Sequence, residues 1–344
     1  RFFDSRLGLD LTYYQQTTKD QILSLPLSQS TGYKRAVINA GEIANKGIEA
    51  SLSFVPVKTK NFTWDASVNF AKNYNEVVKL HDEVKDFELA SARWANASIY
   101  ASEGQPYGVI VGKKLKRTEK GDVIFENGLP TFDDKVSVLG NGNYDFTLGF
   151  RNAFTYKNLS MSVLFDMKFG ADIYSMSAMQ SHVNGTSKET LEGRQEWYSS
   201  EQKRQSAGVP AGNWIATGGY VGKGVMAIKN DDGEMIYVPN NVCVDPAKYW
   251  QALQTTSPEP FIYDNSFVKL REISLSYNCP KKWFVHTPIE SITLSAYGRN
   301  LLLIYSNVDN IDPESSYNNG NGQGFEYGSL PSRRTFGFGI NVKF

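Results

Sequence analysis

The stretch FGFGINVKF, Phe336 to Phe344, decides the fold. Phe336, Phe338, Ile340, Val342 and Phe344 are large and apolar, and Gly337, Gly339, Asn341 and Lys343 between them are small or polar. Successive side chains of a strand point to opposite faces, so this segment has one apolar face and one polar face. The apolar face runs to the terminal carboxylate, where most soluble domains carry a polar, fraying tail. The same pattern serves as the last strand of a soluble sandwich or as the closing strand of an outer-membrane barrel, and the rest of the chain has to separate the two.

Working outward, the alternation recurs. Leu7, Leu9, Leu11 and Tyr13 share one face, as do Ile48, Ala50, Leu52 and Phe54. So do Phe62, Trp64, Ala66, Val68 and Phe70; Phe146, Leu148, Phe150 and Phe154; Met161, Val163, Phe165, Met167 and Phe169; and Ile292, Leu294 and Ala296. Tilted strands of ~9–11 residues are what a bilayer crossing needs. Phe267–Tyr277 breaks phase: Val268 and Leu270 sit on one register, Ile273, Leu275 and Tyr277 on the other, with Lys269, Arg271 and Glu272 at the change. A charge on the lipid face at mid-bilayer costs ~2–4 kcal/mol, so either a β-bulge restores a single apolar face or the strand has left the bilayer there.

Connections alternate in length. The turns near 57–61 and 157–159 are tight and 278–290 is moderate, whereas 15–45, 73–143, 170–265 and 306–333 are long. With the C-terminus placed in the periplasm, every short turn of the eight strands falls there and every long loop falls outside, as in outer-membrane barrels. A sandwich has no reason to segregate its loops, so the parity favours the barrel. The inward positions are mostly Ser, Thr, Asn, Gly and Asp. These are too small to fill a closed eight-stranded barrel, which predicts a wider lumen with further strands N-terminal to Arg1.

Composition excludes other classes. The 36 basic and 36 acidic residues balance, so no long-range field recruits nucleic acid. No apolar run approaches the ~18 residues of a membrane helix. Aromatics at 13% and 29 glycines suit strands, girdles and long loops. Cys243 and Cys279 lack metal-ligand spacing, and the topology puts them at opposite ends of the barrel with no disulfide between them. The first residues, RFFDSRLGLD, contain no signal peptide and read as an internal start within a longer chain.

Four segments resemble the SusC/RagA-like branch of TonB-dependent outer-membrane transporters: Asn39–Glu49 (NAGEIANKGIE); Asn265–Tyr277 (NSFVKLREISLSY); Gly298-Arg299-Asn300-Leu301-Leu302 followed by Asp312-Pro313-Glu314; and Pro331–Phe344. The resemblance implies that residues 1–344 are the C-terminal portion of a transmembrane antiparallel β-barrel of about 22 strands with long extracellular loops. It also implies a plug and an N-terminal domain outside this chain, TonB contact through a segment not in it, outer-membrane lipid around the wall, and a SusD-like surface lipoprotein as lid. A dimer of transporter–lipoprotein pairs belongs to the same expectation. The implied function is import of an oligosaccharide or peptide without catalysis. A passive porin starting near Arg1, or a surface adhesin lacking a plug, is the alternative.

No catalytic constellation is visible. His81, His182 and His286 are far apart and read as solvated loop or turn residues. Gly218–Gly224 (GGYVGKG) has the glycine count of a phosphate loop but no strand-then-helix frame, and reads as a flexible loop. Asp309, Asp312 and Glu314 offer oxygen ligands for a structural Ca²⁺ or form a turn around Pro313; no other cofactor is expected. Asp231-Asp232-Gly233 reads as a hairpin turn. Trp94, Trp197, Tyr198, Trp214, Tyr220, Tyr249 and Trp250 lie in the two longest loops. They either stack on substrate sugars and peptide side chains or pack the loops' own small cores. Arg299 and Asn300 are assigned to organising the wall, and Trp64 and Tyr156 to aromatic girdles.

Overall fold

The computed structural model describes residues 3, 6–26, 32, 35–39, 41–81, 84–93, 96–230 and 232–344. Its main sheet has eight strands: β1 (Leu7–Lys19), β2 (Glu42–Lys58), β3 (Phe62–Lys79), β4 (Phe146–Tyr156), β5 (Leu159–Phe169), β6 (Phe267–Asn278), β7 (Ser291–Ser306) and β8 (Thr335–Lys343). Each pairs antiparallel with the next in sequence order. These are the strands that the alternation predicts. Among the described residues β8 and β1 do not pair with each other, so the sheet is open. In hydrocarbon each unpaired backbone group costs several kcal/mol, and eight strands alone leave two such edges.

The short connections share one end. At 59–61, Thr59 N–H donates to Phe62 O at 2.8 Å and the Thr59 hydroxyl accepts from Phe62 N–H at 3.0 Å. At 157–158, Lys157 turns the chain with φ +52°. Asn158 Nδ2 donates to Asn278 O at 2.7 Å, tying that turn to the third, 279–290.

The outward face is apolar and uncovered: Leu9, Leu11, Phe336, Phe338 and Ile340 are all exposed. A polar residue stands among the apolar rows of β3 and β4. Asn152 pairs with Ala66 on this face and accepts from Trp64 Nε1 at 3.1 Å, so its carbonyl is satisfied. The inward face is polar and cross-linked, with Ser51 on Asn69 at 2.8 Å and Arg151 Nε on Ser162 at 3.0 Å.

The phase break is a bulge at Arg271. Leu164 opposes Glu272 and Phe165 opposes Leu270, leaving Arg271 as the extra residue. Strand β7 answers with its own irregularity at Asn300, φ +51°. Lys269, Arg271 and Glu272 thereby all engage polar partners, and the outward row keeps Val268, Leu270, Ile273 and Leu275.

The long connections fold together into a canopy at the other end. One four-stranded sheet runs Phe132–Asn141, Val109–Leu115, Ala97–Ser102, Asp86–Ser91, and a smaller one joins Leu129–Pro130, Ile124–Glu126, Val225–Lys229 and Met235–Pro239. Among the described residues three α-helices accompany them: α1 (Met176–Val183), α2 (Arg194–Ser206) and α3 (Pro246–Thr256). Ser175 caps α1 by accepting from Ala178 N–H, and Asp245 caps α3, with Pro246 in its first turn. The tightest core of the molecule is here: Ile99, Ile110, Tyr174, Met176, Met179, Leu253, Phe261 and Phe325 are almost fully buried.

The glycine run is no flexible loop. Cβ atoms at Gly222 and Gly224 would meet the Phe125 ring, and one at Gly219 would meet Val244 O, so these glycines permit close packing. Asp232 and Gly233 follow the expected turn, with Asn230 Oδ1 accepting from Asp232 N–H; Asp231 lies outside the described residues. Cys243 sits in the canopy and Cys279 at the short-turn end.

Candidate functional site

Two arrangements stand out, one where canopy meets wall and one within the canopy. The first is ionic. Lys269, on β6 beside the bulge, has a side chain only 5% exposed, and its Nζ lies 2.6 Å from Asp312 Oδ1 and 2.8 Å from Glu314 Oε2. Arg271 joins the same Glu314 at 2.7 Å and Asp166 of β5 at 2.5 Å, and donates to Asn300 Oδ1 at 2.6 Å. Ser332 donates to Asp312 through both N–H and hydroxyl, and Asn265 Nδ2 donates to Pro313 O at 2.8 Å. The loop 307–334 is thus strapped to the wall. Burial opposes the charged form of Asp312, but hydrogen bonds from Lys269, Ser332 and the Glu314 amide outweigh it and hold its carboxyl well below the usual range. Glu314 is lowered in the same way, burial being overcome by Arg271 and Lys269.

This geometry bears on the acidic cluster. The structure does not bring Asp309, Asp312 and Glu314 together around one point: Asp309 is exposed, while Asp312 and Glu314 turn to Lys269 and Arg271. Among the described residues no group of three His, Cys, Asp or Glu side chains is placed to hold a metal ion.

The second arrangement is aromatic. A recess of about 440 Å³ lies among α1, α2 and α3, lined by His182, Arg194, Trp197, Tyr198, Glu201 and Trp250. Trp197 also borders a neighbouring recess of about 670 Å³ with Trp214, Ile215 and Lys248. Helix α2, RQEWYSSEQKRQS, has almost no apolar stripe and is held through polar anchors. Buried Ser200 accepts from Trp214 Nε1 and from Thr217 N–H, each at 3.0 Å, and Arg194 Nε donates to Thr190 O at 2.6 Å.

The aromatics singled out from the sequence divide between two roles. Tyr220, Tyr249 and Trp250 pack on one another, with ring centroids 4.4 Å apart for Tyr220–Tyr249 and 5.1 Å for Tyr249–Trp250. Burial raises the phenol pKa of both tyrosines. Trp197, Tyr198 and Trp214 face the recesses, Tyr198 being largely exposed. Trp94 lies outside the described residues.

His182 departs from its expected solvated setting. It is buried, its ring 4.5 Å from that of Trp250, with Nδ1 2.8 Å from Ala178 O and Nε2 2.9 Å from Glu189. His81 and His286 are exposed. Arg299 and Asn300 organise the wall: Arg299 Nε meets Glu272 at 2.7 Å and Asn300 Nδ2 donates to Arg333 O at 3.1 Å. Trp64 and Tyr156 stand in the outward row near the short-turn end. Sequence reasoning did not find His182, Arg194, Glu201 or Asp166; for Asp166 the visible signal was the misplaced charge opposite it on β6.

The recess offers flat rings beside a guanidinium and carboxylates. It is suited to stacking and hydrogen bonding and holds no arranged nucleophile.

No family model matches the chain. It is 27% identical over 99% of its length to one TonB-dependent receptor of Formosa agariphila and 26% identical over 99% to another, covering 33% of each. Half of it matches a third receptor from that organism at 28%, and 42% of it matches the TonB-dependent receptor SusC of Bacteroides thetaiotaomicron at 27%. The chain spans about a third of the length of the first of these relatives. Among solved structures, the RagAB peptide transporter shares the fold with a TM-score of 0.67 at 18% identity, over 99% of this chain and 34% of that one. Alternating strands, segregated loops and relatives aligned along the whole length agree: the chain is similar, over nearly all of its residues, to a stretch of TonB-dependent outer-membrane receptors, SusC among them, and has the fold of the matching third of the RagAB transporter.

Proposed function

We propose that this chain supplies wall and extracellular canopy to an importer that takes up an oligosaccharide or peptide. Further strands, joined to the free edges of β1 and β8, close the barrel, and a plug fills it. TonB, acting on a segment outside this chain, opens the plug at the expense of the proton-motive force. A SusD-like surface lipoprotein covers the canopy and encloses the substrate. No bond is made or broken. Binding at the aromatic recesses and gating of the lumen are the whole of the contribution.

The observation that carries this reading is a polar, open wall capped at one end only by a folded canopy with aromatic recesses. Trp197 and Tyr198 line the recess together with Arg194 and Glu201, which are held in place by Thr190 and Arg204. Ring faces serve sugar C–H surfaces and peptide side chains alike. The solved neighbours described as peptide transporters lean the choice toward peptides.

The test is uptake of labelled oligopeptides and oligosaccharides by cells carrying the full-length gene, with and without a functional TonB. TonB-dependent accumulation of one class, reduced by W197A/Y198A, supports the reading. Accumulation that persists without TonB would replace it with a passive porin, and adhesion without uptake would replace it with an adhesin.

A further inference from the structure

The outward face of β1–β3 changes chemistry within one row of side chains. The register sets Leu9–Leu52–Val68 and then Leu11–Ala50–Phe70 side by side on this face. The next row toward the canopy is Tyr13–Ile48–Lys72, and the one above it is Gln15–Lys46–Tyr74. All four of Tyr13, Lys46, Lys72 and Tyr74 are exposed, and Lys46 Nζ sits 4.8 Å from the centre of the Tyr74 ring.

Their height is fixed by the strand. Lys72 lies ten residues beyond Phe62, which opens β3 at the short-turn end. At ~3.3 Å per residue and a tilt of 35–45°, that is about 25 Å up the wall, the height of the apolar band of such barrels. Lys72 therefore stands at the border between acyl chains and headgroups, and Lys46 about 5 Å above it. On β4 and β5 the corresponding top of the apolar face carries Phe146 and Phe169, stacked at 5.1 Å. At this height the cations on the outward face of β1–β5 stand on β2 and β3.

Lys46 and Lys72 are diagonal neighbours on adjacent strands, roughly 7–8 Å apart at the backbone, so both ammonium groups reach one phosphate. The acid on the same face, Glu76, is two rows above Lys72, and the Lys19–Glu42 pair at 3.5 Å is farther up still. Positive charge thus lies lowest, where lipid phosphates are, flanked by aromatic rings of the kind that settle at headgroup level.

We propose that Tyr13, Lys46, Lys72 and Tyr74 form a docking site on the outer wall for the phosphorylated sugar headgroup of lipid A, the ammonium groups on a phosphate and the rings against the sugar. The proposal rests on the outer-membrane placement with the canopy outside, and is independent of the import reading.

The test uses the full-length protein in detergent, titrated with bis-phosphorylated lipid A or its dephosphorylated form and read by native mass spectrometry. K46Q/K72Q is expected to weaken lipid A binding ten- to thirtyfold, to the level of the dephosphorylated lipid. K157Q is the control: it removes Lys157, which lies 5.3 Å from the Tyr156 ring at the short-turn end, and should change nothing. Wild-type binding that ignores the phosphates, or a double variant that binds as wild type does, overturns the site. Loss in K157Q alone overturns it and reverses the orientation. Uptake measured in the same variants scores the import reading separately.

Discussion

Lys269→Met tests the strap. The lysine is 5% exposed, and of its two carboxylate partners Asp312 is 9% and Glu314 23% exposed. Removing one partner of a buried ion pair typically costs ~3–5 kcal/mol, because the other charge is left without compensation. The lower end applies here. Glu314 keeps Arg271 at 2.7 Å, and Asp312 keeps the Ser332 and Glu314 amides at 2.7 and 3.0 Å. A loss of ~3 kcal/mol, confined to loop 307–334, is more than a hundredfold in its opening equilibrium. Hydrogen exchange on the full-length protein reads this directly as faster exchange of those amides, with β1–β3 unaffected. K269M/D312N should recover part of the loss, since the stranded charge goes with its partner. Lys343→Gln, which breaks an exposed pair with Glu290 (69% and 56% exposed), should cost ~0–1 kcal/mol. If K269M exchanges like wild type at 307–334, or if K343Q does equal damage, the strap does not hold the loop.

Three further outcomes follow from the same geometry. Asp312 and Glu314 have folded pKa values below their unfolded ones, so their contribution is fully present above the unfolded values of ~4 and is lost as pH falls through the folded ones; a fluorophore on exposed Asn319 should report a docked loop from pH 7 to 5 and release only below about pH 4. Trp64→Phe strands the Asn152 carbonyl on the lipid face and should cost ~1–3 kcal/mol in urea unfolding from vesicles, with W64F/N152L restoring most of it. Gly193→Ala forces a side chain into φ +77° and against the Tyr220 backbone, whereas Gly208→Ala, at φ +64° with open space around it, meets only the conformational penalty of ~1 kcal/mol; trypsin should cut α2 of the first much faster than that of the second.

The wall was legible in the sequence because its physics is local. Lipid on one side and water on the other impose a period of two on each strand, and that period can be read in nine residues such as Phe336–Phe344. Loop length then gives the topology, since only one end of the barrel tolerates long connections. Even the bulge was visible as one of two ways, with exit from the bilayer as the other, of taking Lys269, Arg271 and Glu272 off the lipid face. The canopy was not legible. Helix α2 carries no apolar stripe and depends on Ser200 being met by Trp214 and Thr217, 14 and 17 residues away. Burial of His182 depends on Trp250 and Phe261, which come from α3 and the turn after it.

The same distinction explains why the aromatics could not be sorted in advance. Tyr249 and Trp250 are adjacent in sequence and pack into a cluster, Trp250 as a buried wall of the recess, whereas Trp197 and Tyr198 are adjacent and stand more open at that recess. Composition is equal in the two pairs; what differs is whether another element arrives to cover them. Tyr220 is brought onto Tyr249 by backbone bonds to Val244, and each ring covers part of the other. Nothing of the kind closes over Tyr198, and its ring remains available to a ligand. Canopy and wall are specified by different physics, and the Lys269–Asp312–Glu314–Arg271 strap is where one is fastened to the other. On the proposed import reading, a change of substrate preference can therefore be sought by altering 194–201 without disturbing the strands, whereas a change at Lys269 should release the loop 307–334 from the wall.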